Sequence, residues 1–311
     1  MTAAHFIVGV VLPAPTPAEL QRVGGSPALG IAPWYRETVR RLEAQGVDFI
    51  VIDDGSVAGT SAAAGIRPDA FALLAFLAAQ TQRIGLVAAF DSHLAEPFHV
   101  ARALASLDHA SGGRAGWQLR DESEPTGRAH EFATVLGKLW QSWAPGALLA
   151  DRASGRFLDA ARVQPFNHAG DWFRVRGPLS IARPPQGVPV RLSAQPQPGA
   201  IAVQAVPLDG WGHAVGASEG STRWANAACG SLRLAEIAPA DATAEPDAVD
   251  RLCAAHAAGV LSGVLLGRAT PAAACLRFCR EVLPLLRPHA ADSAFAFPFT
   301  PASTPCPDPS A

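Results

Sequence analysis

The chain has little charge, and almost none of its positive charge is lysine. Only 17% of the 311 residues are charged, the formal net charge is −2, and Lys138 is the single lysine. No basic block forms, so the sequence indicates neither a nucleic-acid surface nor attraction to an anionic membrane. We therefore expect neither nucleic acid nor a membrane surface as a partner.

Long hydrophobic runs are also missing. No charged segment precedes the apolar run at residues 6–12, and this run is too short to cross a bilayer. It predicts a buried first strand, and the chain is expected to be cytoplasmic. Five cysteines, an odd number, agree with reduced thiols. Cys275 and Cys279 are four residues apart, but neither histidine nor carboxylate accompanies them at ligand spacing, so no metal site is predicted.

What the chain does contain is an alternation of short apolar runs and amphipathic segments. Residues 83–89 read as a buried strand, residues 97–110 as a helix with Pro97 in its first turn, and residues 115–119 as the next strand. Gly112 and Gly113 end the helix, since glycine accepts left-handed backbone. A strand, a helix and a strand over this length form one right-handed parallel crossover.

The same pattern extends along the chain and predicts the fold class. At least six runs read as parallel strands, which favours an α/β (β/α)8 TIM barrel with a β-hairpin excursion before strand five. No glycine-rich phosphate fingerprint follows the first strand, which argues against a dinucleotide-binding domain. Further expectations are a loop at 13–32, a helix at 200–206, a strand at 211–215 and a final helix at 271–286. Residues 1–287 are expected to form one domain, followed by a proline- and alanine-rich tail at 288–311.

Several blocks of sequence resemble one family. The run ASLDHASGGRAGW at residues 105–117, GVDFIVIDD at 46–54, and long blocks at 163–190 and 257–287 are similar to the bacterial luciferase-like monooxygenases. The similarity is greatest to the branch with the nitrilotriacetate, pristinamycin and dibenzothiophene-sulfone monooxygenases. The resemblance implies a barrel that uses reduced FMN, supplied by a separate flavin reductase, to oxygenate a small organic substrate with O2. A deazaflavin is the alternative cofactor.

Two residues are the candidate cofactor ligands. Asp54 matches the acidic residue that ends the family's second strand, and it either faces the cofactor or forms a turn or helix cap. Gln118 matches a family asparagine, and it either binds a flavin carbonyl or fills the barrel opening. No catalytic residue is assigned, although His93 and His99 flank the same opening and are candidates for acid–base chemistry.

Other family positions differ, and they support a rival hypothesis. Ala88, Ala89 and Phe90 stand where the family has hydroxyl residues, acidic side chains follow Gln118 at 121–122, and the turn at 195–199 contains two prolines, which cannot donate to a phosphate. The alternative is therefore a non-catalytic barrel, a flavin-binding or partner protein that has lost the cofactor site. An opening plugged by Phe90 and the Gln-Pro turn would keep the barrel but exclude the oxygenase. A homodimer through the apolar helix at residues 68–80 is a further expectation.

Overall fold

A computed structural model of the chain describes residues 5–24, 27–53, 68–121, 127–194, 200–205, 232–237, 247–259, 261–267 and 271–287. Asp54, the turn at 195–199, the predicted strand at 211–215 and the tail at 288–311 lie outside the described residues. The domain boundary at residue 287 therefore stays a prediction.

Eight parallel strands close into a barrel in the order β1-β10-β9-β8-β7-β4-β3-β2, which confirms the predicted fold class. The barrel strands are β1 Ile7–Leu12, β2 Phe49–Asp53, β3 Gly85–Phe90, β4 Ala115–Leu119, β7 Val190–Ser193, β8 Ala200–Ala205, β9 Arg233–Ile237 and β10 Gly263–Leu266. The helices are α1 Pro17–Gly24, α2 Pro27–Ala44, α3 Ala70–Ala78, α4 Pro97–Ser111, α5 Arg128–Gln141, α6 Ala248–Ala257, α7 Ala272–Glu281 and α8 Leu283–Leu286. None of these described helices is long and apolar enough to cross a membrane.

Side chains alternate between the barrel interior and the helix layer. One buried cluster, which includes Ile7, Val51, Val87 and Leu265, fills the interior, and a second, larger cluster lies between strands and helices. Phe49 occupies the interior beside β1, and a Cβ atom at Gly9 would overlap its ring. The lower part of the barrel is therefore packed solid, as in other barrels of this class.

The predicted loop at 13–32 is wrong, because two helices, α1 and α2, begin within it. Thr16 starts α1 with a capping box: its hydroxyl accepts from the Glu19 backbone N–H (3.3 Å), and the Glu19 carboxylate accepts from the Thr16 backbone N–H (2.8 Å). Two of the prolines that indicated a loop, Pro17 and Pro27, stand at the first positions of these helices, where no backbone donor is needed.

The predicted helix at 200–206 is also wrong, and the predicted final helix is divided. Residues 200–205 form β8, which pairs in parallel with β7 and β9, so the barrel neighbours override a weak local preference. The segment 271–286 contains α7 and α8, separated at Val282, because Pro284 cannot continue the backbone ladder.

Asp108 and Arg114, in the family-like run at residues 105–117, have structural roles. Asp108 is buried and accepts from the backbone N–H groups of Ala115 (3.2 Å) and Gln186 (3.0 Å), which joins α4 to β4 and to the segment before β7. Arg114 is also buried, and its guanidinium donates five hydrogen bonds, four of them to backbone carbonyls of residues 78, 81, 84 and 111. Both residues fix helices to the barrel at the amino-terminal ends of β3 and β4.

An excursion of residues 144–189 separates α5 from β7. It contains a 3-10 turn at Ala160–Arg162 and an antiparallel hairpin of β5 Asn167–Ala169 and β6 Arg174–Arg176. Glu131 of α5 holds the hairpin turn: its carboxylate accepts from the backbone N–H groups of Trp172 (3.1 Å) and Phe173 (2.9 Å) and pairs with His168 (2.9 Å). Burial opposes ionisation of Glu131, but these hydrogen bonds together lower its pKa.

Candidate functional site at the barrel mouth

The strand register places the inward side chains in layers. Because the strands are tilted, each layer takes its side chains from alternate strands and not from paired neighbours. Gln118 lies in one layer with Val51 and Leu265, and Val11, Ala89 and Glu236 form the layer above. Asp53 and Arg120 form the top level. We call this upper interior, formed by Val11, Asp53, Ala89, Gln118, Arg120 and Glu236, the mouth. It opens at the carboxyl ends of the strands, where barrel enzymes carry their sites.

A buried ion pair crosses one side of the mouth. Nη1 of Arg120 lies 2.5 Å from Oδ1 of Asp53, and the two side chains are 5% and 7% exposed. The pair spans β3, whose inward residue at this point is Ala89. Ala89 is a small residue, so its side chain occupies little space between the two neighbouring strands at this level.

Two polar side chains in the mouth are available to a ligand. Gln118 of β4 is half-buried, and its amide makes no hydrogen bond with any residue that the structure describes. Glu236 of β9 is also half-buried and has no hydrogen bond or ion pair within the described residues. The small residue Gly267 lies beside it, where a Cβ atom would come 3.0 Å from Oε1 of Glu236.

The loop after β3 is fastened to the rim of the mouth. The Asp121 carboxylate accepts from both the backbone N–H (3.2 Å) and the hydroxyl of Ser92, and the Arg128 guanidinium donates to the Ser92 carbonyl (3.0 Å). Arg128 also lies over the ring of Phe173, 4.5 Å from its centroid. The rim therefore connects the loop, α5 and the hairpin into one hydrogen-bonded unit.

The predicted acid–base candidates lie at the outer edge of this unit. His93 is exposed, and its Nε2 lies 3.8 Å from Oδ2 of the buried Asp121. Ligand atoms of Asp91, His93 and Asp121 lie within 4.8 Å of one another, but Asp121 is already bound by Ser92, and we assign no metal to the group. His99 is exposed on the first turn of α4, with its ring edge-on to Phe98.

Of the two predicted cofactor ligands, only Gln118 is described, and it lies in the mouth. Phe90 does not plug the opening, because it points to the helix layer and packs against Phe71 and Phe132. Ala88 is part of the same outer cluster. Of the three residues 88–90, Ala89 is the one that faces the mouth, and the other two belong to the outer cluster.

Sequence reasoning missed Asp53, Arg120 and Glu236. A signal for each was present, because period-two alternation from the inward residues Phe49 and Val51 selects Asp53, and alternation from Gly116 and Gln118 selects Arg120. Glu236 follows the inward Leu234 in the same way. The resemblance points to Asp54 instead, which lies outside the described residues, so its role as a cofactor ligand stays a prediction.

The cysteines on α7 are unsuited to chemistry. Cys275 and Cys279 are buried, and burial raises the pKa of each thiol to about 12. Both therefore stay protonated and act as small apolar side chains.

A closed parallel barrel with a packed floor and a polar mouth at the carboxyl ends of its strands defines the class of protein, a TIM barrel. Within that class, the family profile "Luciferase-like monooxygenase" matches residues 33–243. The chain belongs to this family.

Curated relatives share part of the chain. N-acetyl-S-(2-succino)cysteine monooxygenase of Bacillus subtilis is 35% identical over 180 residues, 52% of this chain and 41% of the relative. Dibenzothiophene-sulfone monooxygenase of Rhodococcus erythropolis is 35% identical over 190 residues, 52% of this chain and 42% of the relative. The chain thus spans less than half the length of these two relatives.

Solved structures share the fold. A riboflavin lyase, with modified FMN and the substrate riboflavin, has a TM-score of 0.70 at 20% identity, over 96% of this chain and 94% of that chain. A coenzyme F420-dependent tetrahydromethanopterin reductase from Methanopyrus kandleri has a TM-score of 0.55 at 14% identity, over 90% of this chain and 99% of that chain. At these identities the likeness concerns the fold alone.

Proposed function

We propose that the protein is a flavin-dependent monooxygenase that binds reduced FMN at the barrel mouth and oxygenates a small organic substrate with O2. The observation that carries the proposal is the Gln118 amide, open to a ligand inside the mouth of a chain from this family. A separate flavin reductase is the proposed source of the reduced cofactor. Family relatives named as monooxygenases support the reaction type.

The described residues fit the ring portion of a flavin. The isoalloxazine ring is flat and apolar, with hydrogen-bonding atoms along its edges. Val11, Val51 and Ala89 supply apolar and small surfaces, and Gln118 supplies an amide that both donates and accepts. The residues expected at the phosphate, 195–199, lie outside the described part of the chain.

Each polar group of the mouth has a distinct part in this proposal. Reduced FMN supplies, when bound, the two electrons that the reaction with O2 requires. Gln118 orients the ring edge, and Arg120, held by Asp53, places positive charge near a ring that is anionic when reduced. Glu236 holds a carboxylate on the opposite wall, where it can take or give a proton during oxygen transfer. The apolar layers exclude water from the reacting atoms.

An anaerobic titration of the full chain tests the binding step. Reduced FMN, oxidised FMN and a reduced deazaflavin are added separately while tryptophan fluorescence is followed. We expect reduced FMN to bind in the micromolar range, and Gln118→Leu to weaken it about tenfold, since one hydrogen bond contributes about 1.4 kcal/mol. Gln82→Leu, an exposed site at the other end of the barrel, is the control.

The outcomes of this titration distinguish a flavin-dependent monooxygenase from a non-catalytic barrel. If the deazaflavin binds more tightly than reduced FMN, the deazaflavin and not FMN is the cofactor. If no flavin binds even at high micromolar concentration, the oxygenase proposal fails and the non-catalytic barrel is supported. Gln118→Leu behaving like Gln82→Leu would remove the assignment of Gln118.

A further inference from the structure

The charges of the mouth do not cancel. Of the residues that form it, Asp53 and Glu236 are acidic and Arg120 is basic, which leaves a net charge of −1. The guanidinium of Arg120 is already paired with Asp53 at 2.5 Å. Within the part of the chain that the structure describes, the excess negative charge therefore lies on Glu236, at the end of β9.

The surroundings of Glu236 are apolar and leave space for a ligand. Its inward neighbour on β10 is Leu265, and Gly267 follows that strand without a side chain. A Cβ atom on Gly267 would come 3.0 Å from Oε1 of Glu236, so glycine at this position leaves room for the carboxylate. The half-buried carboxylate therefore faces the mouth beside apolar and small residues, with no described cation next to it.

The position of β9 in the barrel separates Glu236 from the Asp53–Arg120 pair. In the closed strand order, three strands lie between β9 and β3 in either direction, so the two strands face each other across the barrel. The ion pair spans β3. The mouth therefore has a neutralised wall, which also carries Gln118, and an opposite wall with an uncompensated carboxylate.

A carboxylate in this position favours a cationic ligand. A partly buried charge lowers the stability of its surroundings unless an opposite charge or hydrogen-bond donors compensate it. The proposed cofactor increases this need, because reduced FMN is an anion and would be repelled by Glu236. A protonated amine between the carboxylate and the flavin would be attracted to both. A divalent metal ion fits less well, since it requires several ligands and Glu236 supplies one carboxylate.

We infer that Glu236 binds a protonated amino group of the substrate, and that the substrate class is a small organic amine. The inference rests on the proposed function, since it takes the mouth to be the place where the substrate lies. It also divides the mouth between the two ligands: the flavin ring lies against the wall of Gln118 and Arg120, and the amine lies against the wall of β9 and β10.

The test compares three probes that share one ring and differ in charge: benzylamine, which is cationic at neutral pH, benzyl alcohol and benzoate. Ligand-observed NMR titrations of the full chain, without flavin and with reduced FMN under anaerobic conditions, measure their dissociation constants. Glu236→Gln keeps the size of the side chain and removes its charge. Glu37→Gln, the same change at a 59% exposed site on α2, is the control. Circular dichroism melts check that each variant folds.

We expect the wild type and Glu37→Gln to bind benzylamine about tenfold more tightly than benzyl alcohol, since a hydrogen bond between two charged groups is stronger than a neutral one. Benzoate should bind most weakly. In Glu236→Gln the preference for the amine should disappear. Gly267→Ala, a second variant, should reduce the preference, because its methyl group forces the carboxylate to move.

Three results would overturn the inference: equal binding of benzylamine and benzyl alcohol by the wild type, a preference that Glu236→Gln retains, or no binding of any probe at millimolar concentration. The reduced-FMN titration distinguishes this failure from failure of the proposed function. If reduced FMN binds and the amine preference is absent, only the substrate class is wrong. If the preference depends on Glu236 but reduced FMN does not bind, the amine site stands and the oxygenase fails.

Discussion

Replacing Arg120 with methionine is expected to destabilise the fold by about 3–5 kcal/mol, because it removes the guanidinium partner of a buried carboxylate. Asp53 is 7% exposed, so water cannot substitute fully for Nη1 of Arg120, which lies 2.5 Å away. Methionine keeps similar length and apolar contact, so the lost charge accounts for most of the effect. Urea denaturation at neutral pH measures the free energy of unfolding.

A second variant and a control make this prediction specific. Asp53→Leu combined with Arg120→Met removes both charges and should recover most of the lost stability. Arg41→Met breaks an exposed pair with Glu37 (3.8 Å; 61% and 59% exposed) and should cost less than about 0.5 kcal/mol. If Arg120→Met costs no more than Arg41→Met, the pair does not have the buried role assigned to it.

Three further predictions concern the scaffold. Arg114→Lys loses at least two of the five guanidinium hydrogen bonds, and we expect it to lower the free energy of unfolding, measured in urea, by about 3–6 kcal/mol. Arg83→Lys, at an exposed site, should lower it by almost nothing. Equal losses for the two variants would contradict the five hydrogen bonds assigned to Arg114. Burial opposes ionisation of Glu43, but the backbone N–H groups of residues 82–84 outweigh burial and lower the pKa of its carboxyl group. Glu43 therefore stabilises the fold above the ordinary pKa of glutamate, and this stabilisation is lost as the pH falls through the pKa of the folded state. The difference in unfolding free energy between the wild type and Glu43→Gln should shrink in acid, and a constant difference would refute this. Cys275 and Cys279, with pKa values of about 12, should resist thiol reagents at pH 8 until the chain unfolds, and rapid labelling of the native chain would be inconsistent with their burial.

Local pattern was sufficient for most of the fold. The apolar runs of β1–β4 and the left-handed backbone of Gly112 after α4 follow from residue type alone. Helix α1 was missed because prolines and glycines were given more weight than the Thr16–Glu19 capping box. Strand β8 was missed because its identity depends on pairing with β7 and β9, and the local sequence pattern does not report that pairing.

The site was less predictable than the fold. Gln118 was found because it stands in a motif, whereas Asp53, Arg120 and Glu236 become functional candidates only when the register brings strands β2, β4 and β9 to one opening. Phe90 is a large residue near the predicted site, and its size alone does not decide whether it fills the opening. Its position one residue out of phase with Ala89 sends it to the helix layer instead.

Hydrogen exchange of the full chain, with and without reduced FMN under anaerobic conditions, tests the central claim that the mouth holds the flavin. Peptides covering the ends of β3 and β4, residues 85–94 and 115–121, should exchange more slowly with reduced FMN, while peptides of the exposed residues 148–158 should not change. Slower exchange only at the amino-terminal ends of the strands, or no change at a saturating concentration, would contradict the claim.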